Sequence, residues 1–420
     1  MNFWILQAGE PLHIDPGSPR PMRAMNLANS LIDRGHSVVI WSSGFYHQEK
    51  RHRSKLYREI YINAYLKINL IPSPGYNKNI GLGRLFDHFM LSRNLKKALN
   101  EYKDEFPDLA LVGYPPIEMA AVATKWFKSR NIPIVIDVKD MWPSIFLEPF
   151  PVFLRPVIKI ILFPYYRIAK HTLQASTAMS SMSLSYLDWM ADFAKRPLTI
   201  SDSANPLTNK IENLSDQEYQ DSCFWWSKLN ISDKTKNRFC FIGSFMSVFD
   251  FSEVQKAATE FYEQDIECTF VICGDGGFSA DIKRQFSGLP NVIFPGWIDR
   301  PKMQYLANCC SGALIPYKNI ENYTRNIPNK VIDSLALGLP IITTLSGVVG
   351  RLVVNEGVGF LCNAESGITM RDALANLLRD PKLVADISER AKNIYERDYS
   401  YDNVYGSMVD KLELLAQGKE

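Results

Sequence analysis

What most constrains this chain is an alternation, repeated in two blocks, of short apolar runs with amphipathic helical patterns. NFWILQA, SVVIWSS, LALVGY and IPIVIDV have strand length, and MRAMNLANSLIDRGH, between the first two, has a helical period ended by Gly35. Strands and helices in alternation imply crossover connections and hence parallel sheets. A polar stretch over 201–236, with Asn205 and Pro206 inside it, interrupts the pattern and predicts a hinge. The alternation restarts with RFCFIGSF, a helix over 252–263, CTFVICG, a helix over 278–287, NVIFPG, a helix over 300–308, GALIPY, a helix over 329–337 and PIITT. From 381 the pattern is helical, with a break near Asp398, Tyr399 and Ser400. We expect an α/β protein of two doubly wound domains, 1–205 completed by a C-terminal helix at about 400–420, and 206–399.

Composition narrows the function classes. At 420 residues the chain is too long for one ordinary core. Its 46% hydrophobic and 22% charged residues are those of a globular protein, not a disordered, fibrous or integral membrane one. A net charge of +2 gives no global field for nucleic acid. The seven cysteines lack a CxxC, and Cys309 adjoins Cys310, so disulfide or zinc spacing is missing and buried reduced thiols are expected. Such thiols suit a reducing compartment. The opening MNFWILQAGEPLHIDPG lacks the charged and long apolar parts of a secretory signal. Arg155, Lys159 and prolines interrupt the most apolar run before it reaches the roughly 18 residues that span a bilayer, so a cytoplasmic location is expected.

Three strand-to-helix junctions in the second block have residue types suited to a phosphorylated ligand. FVICGDGGFSADIKRQ sets Gly274, Gly276 and Gly277 before a helix, where backbone can approach an anion; an ordinary tight turn reads the same. NVIFPGWID ends a strand on Pro-Gly-Trp, with Trp297 either packing on a base or serving as core. NIPNKVIDSLALGLP sets Asn329 and Lys330 one helical turn before Asp333, so that an amide, an ammonium and a carboxylate share one side. A capped helix with a solvated face is the plainer account.

The order GSF, FVICGDG, NVIFPGW, PNKVIDSLALGLPIITT resembles the retaining glycosyltransferases of family 4. GEPLHIDPGSPRPMRAMNLANSLIDRGHSVVIWSS is similar to their N-terminal loop and helix, and IPIVIDVKDMWP to their strand carrying an acid and Trp-Pro, so most of the chain is covered. The C-terminal element is similar to a bacterial O-antigen and capsule subgroup that includes N-acetylfucosamine-type transferases. The resemblance implies the GT-B fold, with two Rossmann-like domains facing a central cleft, acceptor side first and nucleotide-sugar side second. It further implies sugar transfer from a nucleotide donor, UDP-linked in our reading, with retention and with neither metal nor cofactor. Residue by residue it implies Asp333 on the ribose, with Asn329 and Lys330 beside it. Gly243, Ser244, Gly274 and Gly276 would face the diphosphate, Trp297 and Ile298 the base, and the amides of Gly347 and Val348 the last diphosphate loop. Gly17 to Arg23 would form the facing N-domain loop.

Three positions depart from the family pattern. Arg325 stands eight residues before Asp333, where the family has the acid that helps hold the donor sugar. Ser244 and about Phe249 stand where the family has Arg and Lys. SGVVGRL lacks a Glu in the last loop. A diphosphate leaving group needs positive charge, and Lys330, Arg325 and Arg23 are the substitutes.

Retention in this fold is usually pictured as a front-face path, in which Asp140 of VKDMWP would orient the acceptor hydroxyl or the donor sugar; a turn cap is its plainer role. The segment PFPVFLRPVIKIILFPYYRIAK, 149–170, is apolar with four basic residues and no acid. It suits either an anionic membrane interface or a buried helix, and the first would present a lipid-linked or oligosaccharide acceptor. The expected function is therefore that of a peripheral membrane glycosyltransferase of surface polysaccharide (lipopolysaccharide or capsule) assembly. The alternatives are a nucleotide-sugar 2-epimerase of the same fold and a non-catalytic nucleotide-sugar-binding subunit.

Overall fold

The computed structural model describes residues 1–17, 19–78, 81–232 and 237–418. The chain divides into two compact units, Met1–Asn209 with Val404–Glu420, and Lys210–Asn403.

The strands of the first unit are β1 (Asn2–Leu6), β2 (Ser37–Ser43), β3 (Phe45–Tyr46), β4 (Arg51–His52), β5 (Arg58–Tyr61), β6 (Leu66–Ile71), β7 (Leu109–Tyr114), β8 (Ile134–Val138), β9 (Ala178–Ser181) and β10 (Ser203–Ala204). Eight of them form one sheet in the order β10-β9-β8-β7-β1-β2-β6-β5, with β3 and β4 a separate hairpin. Within it β1 runs parallel to both neighbours, Ile5 facing Ile40 on one side and Leu111 on the other. Only β5 is antiparallel, folding back on β6. Apolar side chains on both faces are the consequence of helical cover on both sides, and Trp4 is fully buried against Trp41, Trp126 and Phe127.

The second unit has β11 (Arg238–Ile242), β12 (Thr269–Cys273), β13 (Val292–Gly296), β14 (Gly312–Ile315), β15 (Ile341–Thr343) and β16 (Gly359–Leu361). They form one parallel sheet, β13-β12-β11-β14-β15-β16. Its core is an aromatic layer of Phe239, Phe241, Phe249, Phe251, Phe261 and Phe270. Each unit is a Rossmann-like α/β domain whose strand order reverses beside its first strand, between β1 and β7 in one and between β11 and β14 in the other.

Two regions differ from the expected pattern. The polar stretch 201–236 is not all connection: Ser203–Ala204 pairs with β9, and Asp216–Ser227 is a helix. Ser215 and Glu218 cap that helix reciprocally, which lets a segment with only Ser222 and Trp226 buried hold helical form. Residues 233–236 of the stretch lie outside the described residues. The C-terminal helical pattern is a helix over Pro381–Ile394, a π-helical turn over Tyr395–Tyr399, extended backbone at Ser400 and a helix over Tyr401–Ala416.

Val404 and the residues after it pack on the first unit. Tyr405, Met408, Val409, Leu412 and Leu415 are buried there. Arg34 lies 2.5 Å from Asp410, and His36 Nε2 lies 2.6 Å from Glu413. Six of the seven cysteines are buried, Cys223 is half-buried, and all are free thiols. Among the described residues no helix is long and apolar enough to cross a membrane, and no group of three or more His, Cys, Asp or Glu side chains is placed to hold a metal ion.

Candidate functional site

In the second unit the carboxyl ends of β11 and β14 flank the point where strand order reverses, the place an open α/β sheet leaves for a ligand. The helix Asn329–Ala336 follows the β14 loop and stops at Gly338, whose φ of 65° is the left-handed conformation that ends helices. Val331, Ile332, Ser334 and Leu335 turn inward. Asn329, Lys330 and Asp333 are left half-exposed on the outer face. The Lys330 ammonium reaches across to β11, donating to the Ile242 carbonyl at 2.5 Å and sitting 4.8 Å above the Phe241 ring. It has room because position 243 is glycine: a Cβ there would lie 1.4 Å from Nζ. Gly243, at φ 155°, thus carries the cation directly beneath a loop whose next residue, Ser244, is exposed. Asp333 stands close enough to Tyr317 to help burial raise the phenol far above its ordinary range.

The β12 loop packs onto the same place. Gly274 is buried with its Cα facing the Gly243 carbonyl, and Gly276 faces Phe245. The Gly276 amide, expected to meet a diphosphate, donates instead to Asp275 at 2.8 Å and to Ser279 Oγ at 2.9 Å. These contacts hold the Asp275 carboxyl below its usual range, the Ser279 hydroxyl first among them. Trp297, just past β13, is 70% exposed, which removes the core alternative for it; the neighbouring Ile298 is buried instead. Gly347 abuts the Thr324 carbonyl, which brings the start of the helix Val348–Asn355 against the turn that carries Arg325. The Arg325 guanidinium is 2.9 Å from Glu321, one turn earlier, so an arginine and a carboxylate stand together where the family pattern has one acid. The position expected to resemble a family lysine, Phe249, is buried against Phe241 and Tyr317. A cavity of about 550 Å³, lined by Asp250, Glu253, Lys318, Asn319, Asn363 and Thr369 among others, shares Tyr317 with this place but includes none of the predicted site residues.

The first unit corrects one expectation. Arg23 is 1% exposed, so it cannot meet a ligand's diphosphate. It pairs with the buried Asp137 at 3.3 Å and donates to the Asn205 carbonyl, tying the helix Arg23–Asp33 to β8 and β10. Burial alone would raise the Asp137 carboxyl, but the Arg23 and Lys139 charges and the Ser180 hydroxyl hold it below its usual range. Lys139 is also engaged, by Glu10 and more distantly by Asp137 at 3.8 Å. Gly17, at φ 79°, has open space around it in the loop before that helix. Ser18, inside the same expected loop, lies outside the described residues. Asp140 is half-buried, and its carbonyl accepts from the Trp142 amide at 2.8 Å.

The sequence reading missed a buried polar group in this unit. His88 and Glu118, from the helices Leu82–Glu101 and Ile117–Lys128, lie 3.9 Å apart. His88 Nδ1 and Glu118 Oε2 are buried without a hydrogen-bond partner. The Trp142 ring is 5.7 Å from His88, and the Tyr165 hydroxyl donates to Glu118. Burial lowers His88 to about 3 and raises the Glu118 carboxyl. No short spacing links residues 88, 118, 142 and 165, so only the fold brings them together.

The segment 149–170 is exposed in its first part, while its last residues enter the helix Phe163–Ala175, in which Ala169 is buried. Pro151 to Ile161 forms a 3-10 turn and a short helix, neither with a buried residue. Val152, Phe153, Ile160, Ile161 and Phe163 are each at least 60% exposed. This overturns the buried-helix alternative for 151–161, whereas from Phe163 the stretch joins a helix packed on the first unit.

Residues 236–380 match the family model described as Glycosyl transferases group 1. Solved structures resemble the whole chain. Sucrose-phosphate synthase (tll1590) from Thermosynechococcus elongatus has a TM-score of 0.72 at 12% identity, with 99% of each chain covered. WaaG, a glycosyltransferase involved in lipopolysaccharide biosynthesis, has a TM-score of 0.64 at 14% identity over 98% of this chain and 99% of its own. Anabaena Alr3699/HepE, solved in complex with UDP-glucose, has a TM-score of 0.63 at 13% identity over the same shares. The fold is GT-B. No curated protein sequence matches the chain. At these identities the likeness carries the GT-B architecture, and the group 1 match falls on the unit that holds Lys330 and Asp333.

Proposed function

We propose that the chain is a retaining glycosyltransferase of family 4 that moves a sugar from a UDP-sugar donor onto a lipid-linked or oligosaccharide acceptor. The observation that carries the reading is the Lys330 ammonium held at Gly243, at the strand-order reversal of the unit that matches group 1 glycosyl transferases. A cation fixed there stabilises the charge that develops on a departing diphosphate, and a preorganised charge costs no rearrangement during reaction. Asp333 accepts from ribose hydroxyls and Trp297 covers the base. The exposed Ser244 and the amides of Gly347 and Val348 complete the phosphate contacts. Arg325, with Glu321, meets the donor sugar, and Asp140 orients the acceptor on the first unit. The reading asks for no metal. Bacterial surface polysaccharide assembly, of O-antigen or capsule, is the setting we assign, at the inner face of the plasma membrane. The exposed apolar and basic surface of 149–170 supports the membrane contact.

The test is a thermal-shift series with UDP, UDP-sugars and GDP-sugars, since a ligand bound only by the folded state raises its melting point. UDP compounds should raise it and GDP compounds should not. No shift with any nucleotide sugar overturns the reading. A shift with neither transfer nor donor hydrolysis would leave a binding subunit in its place.

A further inference from the structure

The segment 150–163 has a counterpart on the first unit. In the helix Leu82–Glu101 the inward face is Asp87, His88, Leu91, Ser92, Leu95 and Leu99. The outward face begins with Leu82, Phe86 and Phe89, 83%, 57% and 56% exposed, and continues with exposed Arg93, Lys96 and Lys97. A helix on a soluble domain normally gives water its polar face; here the outer face starts with two turns of Leu and Phe. The two surfaces belong to one edge. The Arg84 guanidinium lies 4.9 Å above Trp142, and Trp142 is 4.5 Å from Phe146. Phe146 belongs to the turn Ser144–Leu147, which runs directly into 150–163.

We propose that Leu82–Phe89 and 150–163 form a two-pronged docking surface for the anionic face of a lipid bilayer. The inference rests on the interfacial reading of 149–170 and adds the second prong. Charge selects the occupant. Between 149 and 170 there are four cations and no acid, and on the helix the one acid near the apolar prong, Asp87, is buried. Apolar side chains enter the acyl boundary while Arg93, Lys96, Lys159 and Arg167 stay among headgroups. A single interfacial segment leaves a protein free to roll about it, whereas two prongs on one edge fix a plane. The buried polar group of His88, Glu118 and Tyr165 lies between the helix that carries one prong and the segment that carries the other, so the two prongs stand on a shared polar support.

The test uses the full chain, sedimented with vesicles of phosphatidylcholine alone or of phosphatidylcholine with phosphatidylglycerol. The wild type should bind the anionic vesicles and not the neutral ones. Phe86→Glu with Phe89→Glu, and separately Val152→Glu with Phe153→Glu, should each weaken binding roughly tenfold or more, because apolar side chains are lost from the acyl boundary. All four residues are exposed, so melting points should match the wild type; UDP-induced shifts, unchanged in both variants, separate this result from donor binding. Loss with the 152/153 variant but not with the 86/89 variant overturns the second prong and keeps the interfacial reading. Absence of wild-type binding, equal binding to neutral vesicles, or a change of oligomeric state in the 86/89 variant without vesicle binding overturns the proposal.

Discussion

Lys330 illustrates how a side chain that is missing sets where a charge sits. Its ammonium occupies the space a Cβ on residue 243 would fill. Lys330→Ala should lower turnover by on the order of 10²-fold, the usual loss on removing one preorganised charge contact, with a melting point close to wild type. Gly243→Ala should lower it similarly and also cost roughly 1–3 kcal/mol of stability for a strained backbone, read from denaturant unfolding. Unchanged turnover in Lys330→Ala would take that residue out of the site. At this scale the sequence was informative where spacing alone decides geometry. Asn329, Lys330 and Asp333 share a face because a helix has a fixed period. It was silent where burial decides: nothing in the string shows that Arg23 spends its charge on Asp137, or that Asp275 and Ser279 already hold the Gly276 amide.

At the scale of elements, the β and α pattern was legible because parallel strands buried on both faces are plain apolar runs. The elements that escaped it are those held by something else: β5 by antiparallel return on β6, and Asp216–Ser227 by its capping box. His88, on the helix Leu82–Glu101, and His47, in the turn after β3, bring a pH dependence that the sequence does not announce. Burial is the first cause lowering His88 to about 3 and His47 to about 4, with Arg84 and Lys50 adding repulsion. Folded pKa values below the unfolded 6.5 mean that the unfolded chain binds more protons between these limits. Stability is therefore held above about pH 6.5 and lost as pH falls toward 4. Glu118, raised by burial, acts in the opposite sense over a single proton. Melting temperature followed from pH 7.5 to 4.5 should fall, and His88→Gln should flatten the fall. A profile identical in the variant would show that His88 binds its proton alike in the folded and unfolded chains.

On the scale of the whole molecule, the chain leaves the first unit at Asn209 and returns to it at Val404. Tyr405, Met408, Val409, Leu412 and Leu415 fill its interior from the far end of the sequence. At about 1.5–3 kcal/mol for each buried side chain, these five rival the roughly 5–15 kcal/mol that holds a domain folded. Truncation after Asn403 should therefore unfold the first unit and leave the second, Lys210–Asn403, with its own transition. Calorimetry should show the truncated protein with one heat-absorption step fewer than the full chain, and two intact steps in the truncated protein would refute the role of this helix.

That return also orders events during synthesis. At ribosomal rates of about 5–20 residues per second, roughly ten to forty seconds separate the making of Asn209 from that of Leu415. The second unit, Lys210–Asn403, is made within that interval and has all its own residues before the first has its last helix. The surface that Tyr405 and Leu412 will cover waits open to water and to chaperones until that helix is made.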